Sequence, residues 1–315
     1  MLSIAGGLFL GWSLGANDAS NVFGTAVSSR MIRFWTAAVL AALFVVLGAV
    51  ISGQAGIETL KGLTSMTLKQ AVIVSIAAAL TVSIMTILGL PVSTSQAVVG
   101  AILGIGLLNH QLNLEGLGKV LICWFTTPIG AAAVSIILYY GISAVYNRLE
   151  INLFQSDTLI RAGLILSGSY GAYTLGANNV ANVTAVFVSA GLLDVFFGAL
   201  VGGLSIAAGI LSYSRPVMET VGKKLVRLDP FSALVVVLSL AATMHVYTVI
   251  GVPVSSSQAV IGCVLGIGIV RGVNTVSART LRNILSGWFF TPILSCIFSL
   301  GIYFISQLKF VPPAG

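Results

Sequence analysis

The composition of this chain is that of a membrane protein. Of its 315 residues, 57% are hydrophobic and only 7% are charged, and the mean hydropathy is +1.06. Because a soluble domain carries roughly 25% charged residues, this composition excludes an ordinary soluble protein. The net charge of +7 is typical of basic cytoplasmic loops in a chain of this kind. We therefore expect the chain to lie in membrane lipid and not to bind nucleic acid.

Apolar segments follow one another along the whole chain. A crossing of the bilayer needs about 20 apolar residues, and eight segments approach or exceed that length: 2–28, 34–52, 68–90, 117–146, 159–190, 192–212, 232–251 and 278–305. Two shorter segments, 97–108 and 258–270, are either crossings or half-helices of re-entrant hairpins. The sequence thus predicts an all-α, polytopic membrane protein with about 10–12 membrane segments.

Two polar motifs each occur twice within this apolar sequence. Gly-Ala-Asn-Asp-Ala-Ser-Asn at 15–21 is echoed by Gly-Ala-Asn-Asn-Val-Ala-Asn at 176–182, and Pro-Val-Ser-Thr-Ser-Gln at 91–96 by Pro-Val-Ser-Ser-Ser-Gln at 253–258. Since both pairs are displaced by nearly the same interval, we predict two repeats, 1–150 and 151–315. Each repeat holds an odd number of apolar segments, which predicts an inverted-topology repeat with broken helices, as in secondary transporters.

The basic residues predict the orientation. With the N-terminus outside, only four of the 15 Lys and Arg residues lie outside: Lys61, Lys69, Lys119 and Lys309. This distribution follows the positive-inside rule. We also expect an amphipathic intracellular connector near 213–230, with Pro216 at the first position of a short helix, where proline is favoured.

The Ser-rich motif predicts an anion site. Pro91 disfavours helix at Leu90, so a new helix should begin near Thr94, with Ser93 and Gln96 forming a capping box; Ser255 and Gln258 repeat the pattern. A helix N-terminus at membrane depth offers free N–H groups and a positive partial charge to an anion. A simple capping role is the alternative. The candidate anion ligands are Ser93, Thr94, Ser95, Gln96, Ser255, Ser256, Ser257 and Gln258.

The first motif predicts a cation site. Asp18 lies well inside an apolar segment, and a buried carboxylate without a basic partner must be protonated or bind a cation. Amide oxygens beside it suit a hard cation such as Na⁺, and Gly15 with Ala16 should permit local unwinding. A polar seam between helices is the alternative. The candidate cation ligands are Asn17, Asp18, Asn21, Asn178, Asn179 and Asn182.

With both motifs duplicated, the chain resembles the inorganic phosphate transporter (PiT) family over essentially its whole length. The resemblance implies a symporter that moves inorganic phosphate inward with Na⁺, or with H⁺ in some members. It also implies an inverted repeat, a homodimer and a multi-pass protein of the plasma (cytoplasmic, inner) membrane. Family members often have Asp in both copies of the first motif, so Asn179 leaves the cation stoichiometry open.

The resemblance also implies roles for the motif residues. It assigns phosphate contacts to Thr94, Ser95, Gln96, Ser256, Ser257 and Gln258, and cation binding or closure of the site to the residues of the first motif. A sulfate permease of the same fold, coupled to H⁺, is the alternative, and an ion channel fits broken inverted repeats less well. The sequence contains no nucleophile–base set, so we expect no enzyme, no cofactor and no metal beyond Na⁺ as coupling ion.

Overall fold

The computed structural model describes residues 4–63, 65–87, 92–224, 228–272 and 278–307. Within these ranges the chain forms eleven α-helices and no β-strand. The helices are α1 (Ala5–Ser28), α2 (Phe34–Ser52), α3 (Gln54–Lys61), α4 (Leu68–Ile87), α5 (Thr94–Asn109), α6 (Leu114–Tyr146), α7 (Leu153–Ser189), α8 (Val195–Lys224), α9 (Pro230–Ile250), α10 (Ser256–Arg271) and α11 (Ala278–Gln307).

Six of these helices are long and apolar enough to cross a membrane: α2, α4, α6, α8, α9 and α11. This confirms the predicted class of all-α polytopic membrane protein. The helices α1 and α7 are also long, but they carry the polar motifs. The helices α5 and α10 have 16 residues each, or about 24 Å at 1.5 Å per residue. They are therefore shorter than a hydrocarbon core of about 30 Å.

The two halves of the chain are interlocked. The most extensive helix contacts join α1 to α8, α2 to α7, α6 to α10 and α5 to α11. In each of these pairs one helix precedes residue 150 and the other follows it. Each of the four helices that carry a polar motif therefore packs mainly against a helix of the other half.

Two glycines of the first motif permit this close packing. A Cβ on Gly15 of α1 would overlap the carbonyl oxygen of Ile206 in α8, and a Cβ on Gly176 of α7 would overlap that of Val45 in α2. Both α1 and α7 remain helical through these positions. The predicted unwinding at Gly15 and Ala16 is therefore wrong, because Gly15 is required for close approach of two helices and not for a break.

The second motif does coincide with helix breaks. The helix α9 ends at Ile250, and the next residue, Gly251, caps it in the left-handed conformation (φ +77°) that favours glycine. The helix α10 begins at Ser256, after four residues without helical structure. In the first half, α4 ends at Ile87 and α5 begins at Thr94. The prediction for Leu90 and Pro91 lies outside the described residues.

The connector differs from its prediction. The helix α8 continues through Pro216 as far as Lys224, so Pro216 lies inside a long helix and not at the first position of a separate one. The Met218 side chain of this segment is fully buried, and its backbone carbonyl lies beside Gly24 of α1. Packing against α1 thus accounts for the continuation of the helix despite the missing N–H of proline. Residues 225–227 of the predicted connector are outside the described ranges.

Candidate transport site

The two Ser-rich motifs each start a helix by the same local hydrogen bond. The Ser93 hydroxyl oxygen accepts from the backbone N–H of Gln96 (3.3 Å), and that of Ser255 accepts from the N–H of Gln258 (3.2 Å). The predicted N-caps are therefore confirmed. The reciprocal half of the capping box is absent, since Gln96 Oε1 and Gln258 Oε1 have no hydrogen-bond partner among the described residues. Both glutamine side chains are buried.

The two motifs contact each other through a reciprocal pair of hydrogen bonds. The Ser95 hydroxyl donates to the carbonyl oxygen of Val254 (3.0 Å). The Ser257 hydroxyl donates to the carbonyl oxygen of Val92 (3.1 Å). Each motif thus supplies a hydroxyl to the non-helical backbone that precedes the other helix. The N-termini of α5 and α10 consequently lie close together, where their positive partial charges act on the same volume.

Asp18 joins this cluster from α1. The side chain is 3% exposed, and its Oδ2 accepts from the Ser256 hydroxyl (3.0 Å). The Ser256 oxygen in turn accepts from Nδ2 of Asn21 (3.0 Å). None of the ion pairs in the described part of the chain includes Asp18. The carboxylate therefore has a neutral hydroxyl, and no cationic side chain, to balance its charge.

The remaining residue of the first copy lies further out. Asn17 is only half-buried, and its backbone carbonyl accepts from the Ser20 hydroxyl (2.7 Å). The structure therefore gathers Asp18 and Asn21 at the start of α10, with Asn17 at the margin of the same helix turn.

Both polar atoms of the Asn178 amide, in α7, form hydrogen bonds with the non-helical backbone that precedes α10. Its Nδ2 donates to the carbonyl oxygen of Val252 (3.3 Å), and its Oδ1 accepts from the N–H of Val254 (2.9 Å). These bonds satisfy backbone groups that the end of α9 leaves without helical partners. They favour a positioning role for Asn178 over the predicted cation ligation.

Asn182 and Asn179, also in the second copy of the first motif, connect α7 to the start of α5. Nδ2 of Asn182 donates both to the Ser95 hydroxyl oxygen (2.9 Å) and to Oδ1 of Asn179 (3.0 Å). Both residues are 1% exposed. Every predicted site residue except Asn17 is thus buried, and the printed bonds connect α1, α5, α7 and α10 at the two helix starts.

Several buried polar atoms of this cluster have no hydrogen-bond partner among the residues described. They are Thr94 Oγ1, Gln96 Oε1, Asn179 Nδ2, Asn182 Oδ1 and Gln258 Oε1. A buried polar group left without a partner costs about 1–3 kcal/mol. Such groups are therefore typical of a site that a polar ligand completes. The set contains both donors and acceptors, as a site for an anion and a cation together requires.

The site lacks the groups that other chemistry would need. Neither copy of either motif contains Lys, Arg, His or Cys. Within the described ranges, no three His, Cys, Asp or Glu side chains are grouped so that they could hold a metal ion. What the arrangement can do is hold small ions by backbone N–H groups, hydroxyls, amides and one carboxylate.

Comparison with known proteins identifies the family. A family model described as the phosphate transporter family matches residues 14–156 and 152–299. The chain belongs to the phosphate transporter family. Membership confirms the resemblance seen in the motifs, and it makes the protein a multi-pass membrane transporter and not an enzyme.

Proteins of known name align over most of the chain. A protein of Methanocaldococcus jannaschii named "Putative phosphate permease" is 28% identical over 92% of this chain and 92% of its own length. The sulfate permease CysP of Bacillus subtilis is 32% identical over 91% of this chain and 82% of its own. The solved structure of a sodium-dependent phosphate transporter matches with a TM-score of 0.89 at 23% identity, covering 98% of both chains. That likeness confirms the fold.

Sequence reasoning missed two features of this candidate site. The first is the backbone of the valines that precede α5 and α10, since Val92 and Val254 accept the reciprocal hydroxyl bonds. Their repetition in both Pro-Val-Ser motifs was an available signal. The second is α3, whose Thr59 hydroxyl donates to the carbonyl oxygen of Gly251 and whose Gly56 lies against Ala181. No motif in α3 indicated this contact.

Proposed function

We propose that this transporter imports inorganic phosphate together with a coupling cation, Na⁺, by alternating access at the site between α1, α5, α7 and α10. One observation carries the proposal. Two helix N-termini, a buried carboxylate and several unpartnered polar atoms lie together in a site that contains no basic side chain. Family membership supports phosphate as the substrate.

The anion part of the proposal rests on the two helix starts. Each helix N-terminus contributes about half a positive charge and free N–H groups. The Thr94 hydroxyl has no hydrogen-bond partner among the described residues, so it is available as a further donor to a tetrahedral oxyanion. The proposed phosphate site comprises Ser93, Thr94, Ser95, Gln96, Ser255, Ser256, Ser257 and Gln258.

The cation part follows from charge balance. Phosphate of charge −1 or −2 together with ionised Asp18 places two or three negative charges in a buried site, whereas two helix N-termini supply only about one positive charge. A cation bound beside Asp18 offsets the remainder. Each ion should therefore raise the affinity for the other by the same factor. The name of the solved relative, a sodium-dependent transporter, supports Na⁺ as this cation.

Alternating access is supported by the reciprocal packing of the halves. The equivalent overlaps at Gly15 and Gly176, and the equivalent bonds from Ser95 and Ser257, are what an inverted repeat around one site would produce. We propose that the chain is a homodimer in the plasma membrane with its N-terminus outside. That orientation places the salt bridge between Arg271 and Asp229 on the intracellular side.

Uptake into proteoliposomes tests the proposal. Purified protein should accumulate labelled phosphate when an inward Na⁺ gradient is imposed, and it should do so without a pH gradient. A gradient of K⁺ in place of Na⁺ is the matched control. Absence of phosphate uptake under every imposed gradient would falsify the proposed function. Uptake that follows a pH gradient alone would replace Na⁺ by H⁺ and leave the substrate unchanged.

A second candidate is sulfate transport coupled to H⁺. The observation that favours it is the 32% identity with the sulfate permease CysP. Sulfate has no proton to donate to Asp18, whereas phosphate near neutral pH retains at least one, so the acceptor at Asp18 favours phosphate. Competition decides between them. Unlabelled phosphate should suppress phosphate uptake at concentrations where sulfate has little effect, and the reverse order would establish a sulfate permease.

A further inference from the structure

The orientation of the Asn179 side chain follows from a relay of hydrogen bonds. The Ser95 hydroxyl has one proton, which it donates to the carbonyl oxygen of Val254. Its oxygen can therefore only accept from Asn182, which must present Nδ2 to it. The same Nδ2 donates to Oδ1 of Asn179. Asn179 consequently turns its oxygen toward Asn182. Its Nδ2 is the atom of the amide that this relay does not use.

Nδ2 of Asn179 is a buried donor that has no partner among the described residues. Asn179 is 1% exposed, and no atom of the described residues accepts a hydrogen bond from its Nδ2. Through Asn182 the residue is linked to the start of α5, where the Thr94 hydroxyl also has no partner within the described part of the chain. An amide NH₂ group is a donor with positive partial charge. It can bind an oxyanion, and it opposes a cation at the same position.

The two copies of the first motif thus differ in charge and also in hydrogen bonding, because one offers an acceptor where the other offers a donor. In the first copy, Asp18 accepts a hydrogen bond from Ser256. At the equivalent position of the second copy, Asn179 has its acceptor already engaged and a donor unused. The acceptor that remains unpartnered in the second copy is Oδ1 of Asn182, which is the atom suited to a cation.

We infer that Asn179 donates a hydrogen bond from Nδ2 to the transported oxyanion and does not ligate the coupling cation. The inference rests on the proposed function and assigns this residue to the anion. An oxyanion held in this way presents an unprotonated oxygen to Asn179. Its protonated or cation-bridged oxygen faces Asp18. The asymmetry of the repeat thereby orients the substrate within the site.

The substitution Asn179→Asp tests the inference with little change of shape. Aspartate keeps an oxygen to accept from Asn182 and replaces only the NH₂ group by a second oxygen. The full-length protein is purified, and phosphate affinity is measured at saturating Na⁺. Because a charge-assisted donor is replaced by an acceptor, the phosphate Kd should rise by about tenfold or more. Asn179→Ala removes the donor together with the Oδ1 that accepts from Asn182, but it introduces no negative charge, so it should raise the phosphate Kd by a smaller factor.

Thermal stabilisation by Na⁺ alone reports cation binding without phosphate. This stabilisation should persist in Asn179→Ala if the residue serves the anion. Asn147→Asp, which adds the same charge at an exposed position, should leave both measurements unchanged. An unchanged phosphate Kd in Asn179→Asp, or loss of the Na⁺ effect with normal phosphate affinity in Asn179→Ala, would overturn the inference. Failure of the unaltered protein to bind phosphate would instead count against the proposed function.

Discussion

Ser95, in the first turn of α5, donates a hydrogen bond of 3.0 Å to the carbonyl oxygen of Val254, in the break before α10. Ser257 and Val92 form the reciprocal bond. These two bonds bring together motifs that are far apart in the chain. They hold the starts of α5 and α10 against each other, so the two copies of the Ser-rich motif form one cluster.

Removal of either bridging hydroxyl should destabilise the site. Ser95→Ala leaves the Val254 carbonyl without this donor, and Ser257→Ala does the same to Val92. Each loss should cost about 1–3 kcal/mol and lower the Tm of the purified protein. Ser306→Ala is the matched control, because that hydroxyl also donates to a carbonyl but lies at an exposed position. Equal Tm values for Ser95→Ala and the control would contradict a bridging role.

The carboxylate of Asp18 should be required for coupling and not for folding. Asp18→Asn keeps the size of the side chain and an oxygen that can accept from Ser256, but it removes the charge that the cation offsets. Cation-driven phosphate uptake should be abolished while the elution profile of the protein stays normal. Asp157→Asn, at an exposed position near the start of α7, should transport normally. Uptake with an unchanged cation dependence in Asp18→Asn would show that the cation role is wrong.

The close approach of helices at the first motif should exclude even one methyl group. A Cβ on Gly15 or Gly176 would overlap a backbone carbonyl, which cannot turn aside as the end of a flexible side chain can, whereas a Cβ on Gly118 or Gly141 meets nothing within 4 Å. Gly15→Ala and Gly176→Ala should therefore reduce the yield of folded protein and lower its Tm. The same change at Gly118 or Gly141 should be neutral or stabilising, because alanine favours helix by about 0.5–1 kcal/mol. Size-exclusion profiles and thermal unfolding compare the four variants.

Outside the proposed transport site, Asp229 should make the stability of the protein depend on pH. It caps α9 by accepting from the N–H (3.0 Å) and hydroxyl (2.8 Å) of Ser232, and it pairs with Arg271 at the end of α10. Partial burial opposes the charged form, but these hydrogen bonds and the guanidinium together hold the pKa of Asp229 below its usual value. The carboxylate is therefore easier to ionise in the folded protein than in the unfolded chain.

The sign of the effect follows from this lowered pKa. The stabilisation is present above the unfolded pKa of about 3.9 and is lost as the pH falls through the lower folded value. Near neutral pH, Asp229→Ala should cost about 0.5–2 kcal/mol as a lost N-cap. The difference in Tm between the variant and the unaltered protein should shrink as the pH is lowered below about 4. A difference that is constant with pH would show that the charge of Asp229 contributes nothing.

Much of the local structure could be predicted from the residues alone. Helix starts at Ser93 and Ser255 depend on a hydrogen bond between groups three residues apart, so the motif itself contains the information. The side chains of the glutamines were predicted less well. Gln96 Oε1 and Gln258 Oε1 do not accept a hydrogen bond from the cap residues. Both side chains are buried, so their orientation depends on the folded structure and not on the motif alone.

The sequence by itself determined that this is a polytopic membrane protein in which two polar motifs each occur twice within apolar segments. Only the tertiary structure decided what several motif residues do. From the sequence, Gly15 could mark a break in α1 or a close approach of two helices. The Ile206 carbonyl lies so near Gly15 that close approach of α1 and α8 is its role. Asn178 and Asn179 are adjacent and identical in type, yet one is engaged at both ends and the other retains a donor. Capping is local and can be read along the chain, whereas these roles depend on partners that only folding brings into contact.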